Sequence, residues 1–277
     1  MIQGRDEHQV YSESVSDDPT VTDDKLPTTE RQVRWGLWDV ALGFVVFFVV
    51  LAFASILATT GPLREVLGAN ADAFSLVSSL LAYGALVIVI VVASRRSGLG
   101  TLAADFGLAF KPVDLVIGLG IGFAGRVFTV LLSAVAITIT GYSPERGNLV
   151  LSSDPLWIVL NGVLIAVIVA PLVEELFFRG LVLRAIRNRV LKKNPTERST
   201  QRLAGLAAIL ISSAAFMLLH LYQASDWTLF IILAGSTFAV GFLNAVVALR
   251  TGRLGGPIIG HLVFNGSAVL LGVVLGG

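Results

Sequence analysis

The chain of 277 residues contains no cysteine. Disulfide bonds, thiolate zinc sites and cysteine nucleophiles are therefore excluded from its chemistry. Charge is also scarce, because only 14% of the residues are charged, whereas soluble domains carry about 25%. With 55% apolar residues and a mean hydropathy of +0.82, the composition predicts a polytopic membrane protein.

The first 34 residues differ from the rest, because they hold eight acidic and four basic side chains and almost nothing apolar. Such a segment cannot bury enough apolar surface to order itself, so we predict a disordered polar tail at 1–34. No cleavable signal sequence is expected there, since the region has no apolar core. Residues 35–277 are predicted to form a membrane helical bundle.

From Leu37 onward, apolar runs of the length that crosses a bilayer alternate with short polar loops. The predicted fold class is all-α, a polytopic transmembrane helix bundle of about seven spans. An eighth span, or a re-entrant piece near Gly235, is left open. The predicted spans are Leu37–Ala58, Phe74–Ala93, Val113–Thr140, Leu156–Leu183, Leu203–Tyr222, Thr228–Leu249 and Pro257–Leu275. Four glycines of the third span are expected to allow close helix packing: Gly118, Gly120, Gly122 and Gly125.

Lysine and arginine fall mainly on one side of this alternation. With the N-terminus in the cytoplasm, the inside segments hold 16 of the 20 basic residues, and the outside loops hold Arg64 and Arg146. This bias follows the positive-inside rule. We therefore predict a multi-pass protein of the cell membrane with a cytoplasmic N-terminus. Membrane lipid is its expected environment, no nucleic-acid partner is expected, and the oligomeric state is left open.

One predicted span contains two adjacent carboxylates, Glu174 and Glu175, followed by Arg179. On a helix Glu175 and Arg179 are i and i+4 and share a face, whereas Glu174 projects about 100° away. One carboxylate is thus neutralised locally and the other is free, as a general base in a buried site requires. The other strongly polar residues inside the spans are Asp39, Arg126, Asn161, His220, Asn244, His261 and Asn265.

Two of the three histidines, His220 and His261, lie in apolar helices, and His261 shares a helix face with Asn265. Buried polar groups on separate spans need partners, so these side chains are expected to converge on one pocket. Glutamate and histidine together can activate water for attack on a carbonyl, with or without a metal. The H-E-x-x-H motif of zinc proteases is absent, and a serine nucleophile is not expected.

Three motifs occur in order: E-E-x-x-x-R at Glu174–Arg179, F-x-x-x-H at Phe216–His220 and H-x-x-x-N at His261–Asn265. In these motifs the chain resembles the CPBP (CAAX protease and bacteriocin-processing, or Abi) family of intramembrane proteases, which is related to the Ras-converting CAAX endopeptidases. The resemblance covers about residues 105–270 and implies that this part is the catalytic core of an intramembrane endopeptidase. It also implies a peptide or lipidated protein substrate, such as a prenylated one.

The resemblance further implies a role for each motif residue. Glu174 would activate water with the help of His220, and His261 and Asn265 would stabilise the oxyanion. Glu175 and Arg179 would support the geometry of the site.

Whether a metal takes part is left open at this stage. Glu174, His220 and His261 would be the ligands of a divalent metal such as zinc, if one is used. No cofactor is certain, and a tightly held structural metal is not expected.

Two other functions stay open. A non-catalytic member of the same fold could bind peptides as an immunity or scaffold protein. A small transporter could use Glu174 and Glu175 as a proton relay, although it would predict inverted repeats that are not visible in the sequence.

Two structural expectations concern the surroundings of the site. Counting about 1.5 Å per residue places Glu174 near the cytoplasmic side and His220 nearer the outside. We therefore expect the fourth helix to extend beyond Leu183 and the fifth to begin before the membrane, with a cavity open to the cytoplasm. Arg126 is expected to pair with a core carboxylate, because an unpaired buried arginine is costly.

Overall fold

The computed structural model describes residues 35–60, 65, 70–143, 152–192 and 196–275. The predicted disordered tail at 1–34 lies outside the described residues. Within the described residues the regular elements are helical, which confirms the all-α fold class. We number the main helices in chain order: α1 Leu37–Thr60, α2 Ala71–Ser97, α3 Leu102–Phe106, α4 Pro112–Thr140, α5 Pro155–Leu191, α6 Arg198–His220, α7 Trp227–Thr251 and α8 Gly255–Leu275.

All of these helices except the short α3 are long and apolar enough to cross a membrane, so the seven predicted spans are confirmed. The re-entrant alternative near Gly235 is wrong, because α7 runs unbroken through that position. No eighth span is found in the described part of the chain. Large apolar side chains such as Val116 and Ile139 are 70% and 73% exposed on the helix surfaces, as expected for contact with lipid.

The loops contain the residues that start and stop these helices. Asn70, Asp154 and Asp226 each accept a hydrogen bond from a backbone N–H of the helix that follows. Such caps satisfy N–H groups that have no partner inside the helix. Gly141 and Gly252 end α4 and α7 in the left-handed conformation, with φ of 67° and 69°, which glycine adopts without strain.

Helix α5 is the central element of the bundle, since every residue from 173 to 183 is buried. Its hydrogen bonds are α-helical over Ala170–Glu175 and π-helical over the flanking Ile158–Val169 and Leu176–Val182. Turns of π-helix are rare and occur frequently at functional sites. The α-helical segment between the two π-helical segments ends with both glutamates.

The expected extensions of two helices are confirmed. Helix α5 continues beyond Leu183 to Leu191, and α6 already begins at Arg198, five residues before the predicted Leu203. The two helix ends therefore form a helical hairpin that carries much of the basic stretch between Arg184 and Arg202.

Glycines bring α4 against its neighbours. A Cβ added at Gly118 or Gly122 would lie 2.5 Å from a side chain of α8, and one at Gly125 would lie 2.6 Å from a side chain of α7. The predicted close packing is confirmed at these three positions. It is wrong for Gly120, which has nothing within 4 Å because it lies on the opposite face of α4.

Candidate active site

The two adjacent glutamates point to different surroundings, as their angular offset predicts. Glu174 is 4% exposed and lines a cavity of about 390 Å³ between the helices. Glu175 is fully buried and does not line that cavity. The structure therefore separates one carboxylate that solvent or substrate can reach from one that is surrounded by protein.

Three nitrogen atoms surround a single oxygen of Glu175, one as an ion pair and two as hydrogen-bond partners. Its Oε1 lies 3.0 Å from Nη1 of Arg179, 3.1 Å from Nδ2 of Asn244 and 3.0 Å from Nδ1 of His261. Arg179 also donates from Nη2 to the carbonyl oxygen of Gly241 at 3.1 Å. The expected i,i+4 ion pair is thus present within α5. The hydrogen bonds of its two members link α5 to α7 and α8.

Glu174 is held from one side and open on the other. The hydroxyl of Tyr83 on α2 donates to Oε1 of Glu174 at 2.8 Å. The second oxygen, Oε2, lies 3.8 Å from Nε2 of His261 and 4.0 Å from Nε2 of His220. These two separations are too long for direct hydrogen bonds and wide enough for a bridging water.

The orientation of His220 follows from its own helix. Its Nδ1 lies 2.8 Å from the carbonyl oxygen of Phe216. A carbonyl only accepts hydrogen bonds, so Nδ1 carries the hydrogen and Nε2 of the neutral ring is an acceptor that faces Glu174. The last turn of α6 thereby presents a lone pair to the cavity.

Asn265 lines the same cavity one turn after His261, but its amide is already engaged. Its Nδ2 donates to the carbonyl oxygen of Ala166 at 2.8 Å. In the π-helical register that carbonyl would accept from residue 171, which is Pro171 and has no N–H. Asn265 therefore satisfies a carbonyl that the helix leaves unpaired, and one of its two amide hydrogens remains for another acceptor.

Five of the six motif residues thus form one contiguous cluster, and Asn265 stands beside it. The sequence reasoning missed Tyr83 as a partner of Glu174. A signal was available, because Ser75, Ser79 and Tyr83 recur every four residues on α2 and all three line the cavity. Asn244 was noted as a polar residue within a span, but its pairing with Glu175 was not foreseen.

The expectation that Arg126 pairs with a carboxylate is wrong. Its Nε donates to Oγ of Ser267 at 2.9 Å, its Nη2 donates to the carbonyl oxygen of Phe264 at 2.7 Å, and the guanidinium lies 4.5 Å from the centre of the Phe264 ring. No carboxylate of the described residues lies within 4.0 Å of it. Hydrogen bonds and the aromatic face replace the expected ion pair.

The expectation that the cavity opens at the basic end of the bundle is also wrong. Its outer wall includes Ser75 near the start of α2, Trp157 near the start of α5, Ile232 near the start of α7, and Gln223 just after α6. Because successive spans run in opposite directions, these four positions lie at the same end of the bundle, opposite to the basic segments. The cavity therefore reaches the surface at the end that has few basic residues.

The cluster does not have the geometry of a metal site. Two bonds of about 2.1 Å to atoms 3.8–4.0 Å apart would need an angle of roughly 130–145° at the metal, against ~109° in a tetrahedral site. No group of three or more His, Asp or Glu in the described residues is arranged to hold a metal. Glu174, His220 and His261 nevertheless supply the types of atom that bind a divalent metal.

The fold and the site together define the class of protein: a multi-pass membrane protein with a carboxylate–imidazole cluster in an intramembrane cavity. Residues 155–267 match the family described as type II CAAX prenyl endopeptidase Rce1-like. All six motif residues lie within this matched segment. The match spans less than half of the chain and leaves Tyr83 and Arg126 outside it.

The searches of curated proteins and of solved structures each found no match. The family that residues 155–267 match is one of endopeptidases.

Proposed function

We propose that the chain is an intramembrane endopeptidase that hydrolyses a peptide bond of a membrane-associated protein with a water activated by Glu174. The observation that supports this function is the convergence of three atoms on one wall of the cavity. Oε2 of Glu174 faces Nε2 of His220 at 4.0 Å and Nε2 of His261 at 3.8 Å. A carboxylate and two imidazoles at such spacing can hold and polarise one water.

In the proposed first step the water donates one hydrogen bond to Oε2 of Glu174 and one to Nε2 of His220. Glu174 takes a proton as the water oxygen bonds to the carbonyl carbon of the scissile peptide bond. The π electrons of that carbonyl move to its oxygen. Glu174 then returns the proton to the leaving nitrogen as the C–N bond breaks, which yields a carboxylic acid and an amine. The new carboxylic acid then passes its proton to the amine, so that the products are a carboxylate and an ammonium group.

The oxyanion of this intermediate needs hydrogen-bond donors. His261 donates from Nδ1 to Glu175, and in its imidazolium form it also has an Nε2–H directed to the cavity. With that imidazolium, the charges of Glu174, Glu175, Arg179 and His261 add to zero. The free amide hydrogen of Asn265 supplies a second donor, and each such donor is worth roughly 2.7–4 kcal/mol in other hydrolases.

The supporting residues fix this geometry. Tyr83 holds Oε1 of Glu174 and so directs Oε2 to the imidazoles. Glu175 accepts from Nδ1 of His261 and fixes the plane of that ring. Arg179 and Asn244 in turn hold Glu175. Rigid positioning of this kind keeps the reacting groups within reach of each other.

The proposed mechanism routes no step through a metal. A purified sample treated with a strong chelator is expected to keep its activity. Activity that is lost on chelation and restored by zinc would transfer the role of Glu174, His220 and His261 to metal binding.

The test of the proposed function is cleavage of membrane-anchored reporter peptides, with and without a prenyl group, by the purified chain in lipid vesicles. Wild type should cleave at a defined bond, and Glu174→Gln should lower the rate by about 10²–10⁴-fold. Glu197→Gln, an exposed substitution at the start of α6, is the matched control and should keep the wild-type rate.

The same assay decides between the remaining functions. A peptide-binding scaffold would bind the reporters without cleaving them, and a proton-relay transporter would do neither. Equal cleavage by wild type and Glu174→Gln would contradict the role of Glu174.

A further inference from the structure

The end of the bundle at which the cavity opens is identified by hydrogen bonds between loops. Ser152, before α5, donates to the carboxylate of Asp72 at the start of α2 at 2.8 Å. The hydroxyls of Thr140 at the end of α4 and Thr228 at the start of α7 are 2.7 Å apart. The first contact joins the start of α5 to the start of α2, and the second joins the end of α4 to the start of α7. We call this end the open end.

The opposite end, here called the closed end, is sealed by contacts between other loops. Arg253, before α8, donates to both oxygens of Asp114 at the start of α4, at 2.8 and 3.2 Å. These hydrogen bonds raise the pKa of the Arg253 guanidinium above its ordinary value. Leu254 and Gly255 donate backbone hydrogen bonds to the segment 107–109, at 2.8 and 3.1 Å.

Asp105 of α3 adds a second seal at the closed end. Its carboxylate accepts from the indole of Trp35 at 3.2 Å and the hydroxyl of Ser94 at 2.6 Å. It also accepts from the backbone N–H groups of Leu99 and Gly100. Burial by itself would raise the pKa of Asp105, but these bonds to the charged form outweigh burial and lower the pKa.

The residues that line the cavity stop short of the closed end. None of the residues that line the cavity lies in 84–125, 175–215 or 241–260 of the described chain. Phe177, Phe178 and Leu181, which follow Glu174 on α5, are at most 1% exposed. Aromatic and aliphatic packing therefore separates Glu174 from the closed end.

The two ends differ in charge. In the described residues, eleven lysines and arginines belong to the closed end. In the described residues the open-end loops at 141–143, 152–154 and 221–226 contain no lysine or arginine. The described basic residues of the closed end are Arg95, Arg96, Lys111, Arg184, Arg187, Arg189, Lys192, Arg198, Arg202, Arg250 and Arg253.

We infer that the cavity of Glu174 opens to the non-cytoplasmic face of the membrane, and that its substrate presents the scissile bond from that face. Basic loops stay on the cytoplasmic side, so the closed end is cytoplasmic and the open end is not. The part of this inference that concerns substrate rests on the proposed function. The substrate class is a membrane-anchored protein with a peptide segment at or beyond the outer boundary of the bilayer.

A thiol-accessibility experiment tests this inference, because the natural chain has no cysteine and each introduced thiol is unique. Three single variants report on three places: Ser225→Cys in an open-end loop, Ser79→Cys on the cavity wall and Lys192→Cys at the closed end. Each is treated with a membrane-impermeant maleimide in spheroplasts of a bacterial host and in inverted membrane vesicles. Labelling after solubilisation in detergent verifies that each thiol is present.

We expect Ser225→Cys and Ser79→Cys to react in spheroplasts, and Lys192→Cys to react only in inverted vesicles. Reaction of Ser79→Cys only in inverted vesicles, or in neither preparation while it reacts in detergent, would overturn the inference. Ser75→Cys, one turn nearer the open end, repeats the measurement if Ser79→Cys fails to accumulate.

The labelling is repeated with Glu174→Gln as background, so that its result does not depend on catalysis. One-sided labelling without any peptide cleavage would refute the proposed function and leave the opening of the cavity established. Peptide cleavage together with labelling of Ser79→Cys from the cytoplasmic side would support the proposed function and refute the inferred opening of the cavity.

Discussion

Replacement of Arg179 by methionine tests the buried charge cluster behind the active site. Arg179 and Glu175 are both fully buried, and their atoms Nη1 and Oε1 are 3.0 Å apart. Methionine keeps much of the side-chain volume but leaves the Glu175 carboxylate without its counter-charge. Removal of one partner of a buried ion pair costs about 3–5 kcal/mol.

The expected loss is large enough to measure in detergent. At about 2–4 °C per kcal/mol for a chain of this size, Arg179→Met should lower the melting temperature by about 6–20 °C. The double variant Glu175→Gln, Arg179→Met removes both charges and should recover at least half of that loss. Arg187→Met, an exposed position two turns later on α5, is the control and should cost at most about 1 kcal/mol.

Melting curves of the four proteins, followed by intrinsic fluorescence, provide the test. An Arg179→Met variant that melts with the wild type would refute the reasoning, because Glu175 would then not need its partner. A double variant no more stable than Arg179→Met would show that the loss arises from packing and not from the unpaired charge.

Three further predictions follow from single contacts. Tyr83→Phe should lower kcat by about 10–100-fold with little change in KM, because it removes a hydrogen bond to a charged acceptor worth ~1.5–3 kcal/mol. Tyr142→Phe, at an exposed position outside the cavity, should be neutral in the same assay. Because the pKa of Asp105 is lowered on folding, its stabilisation is complete above about pH 4 and is lost as pH falls further; Asp105→Asn should flatten this acid decline in melting temperature. Gly122→Ala should lower the melting temperature because its Cβ would meet α8, and Gly120→Ala should not.

The spans and the site motifs could be predicted because both depend on local sequence. An apolar run of about 20 residues reports a span without knowledge of its neighbours. The i,i+4 spacing of Glu175 and Arg179 fixes their shared face in the same way. The grouping of Glu174, His220 and His261 in one site needed the resemblance as well. These residues lie on three different helices, and residue spacing within one helix does not show how helices pack together.

The misjudged features depend on packing between helices. Arg126 bonds to a carbonyl oxygen and a hydroxyl of α8, which are acceptors that composition does not reveal. Counting residues along each helix gives the depth of Glu174 in the membrane. It does not show which end of the bundle the loops close, and so the expected opening of the cavity is wrong. The contact between Arg253 and Asp114 joins residues far apart in the chain, and only the three-dimensional fold places it.

The central claim is that Glu174, His220 and His261 act as one catalytic unit, and single-turnover cleavage by combined variants tests it most directly. Residues that act as a unit are strongly non-additive, so their losses do not multiply. We expect Glu174→Gln alone to abolish nearly all activity. The triple variant, which adds His220→Gln and His261→Gln, should be no more than about tenfold slower than Glu174→Gln. Losses that multiply across the three substitutions, or a Glu174→Gln variant that still cleaves at the wild-type rate, would contradict the account.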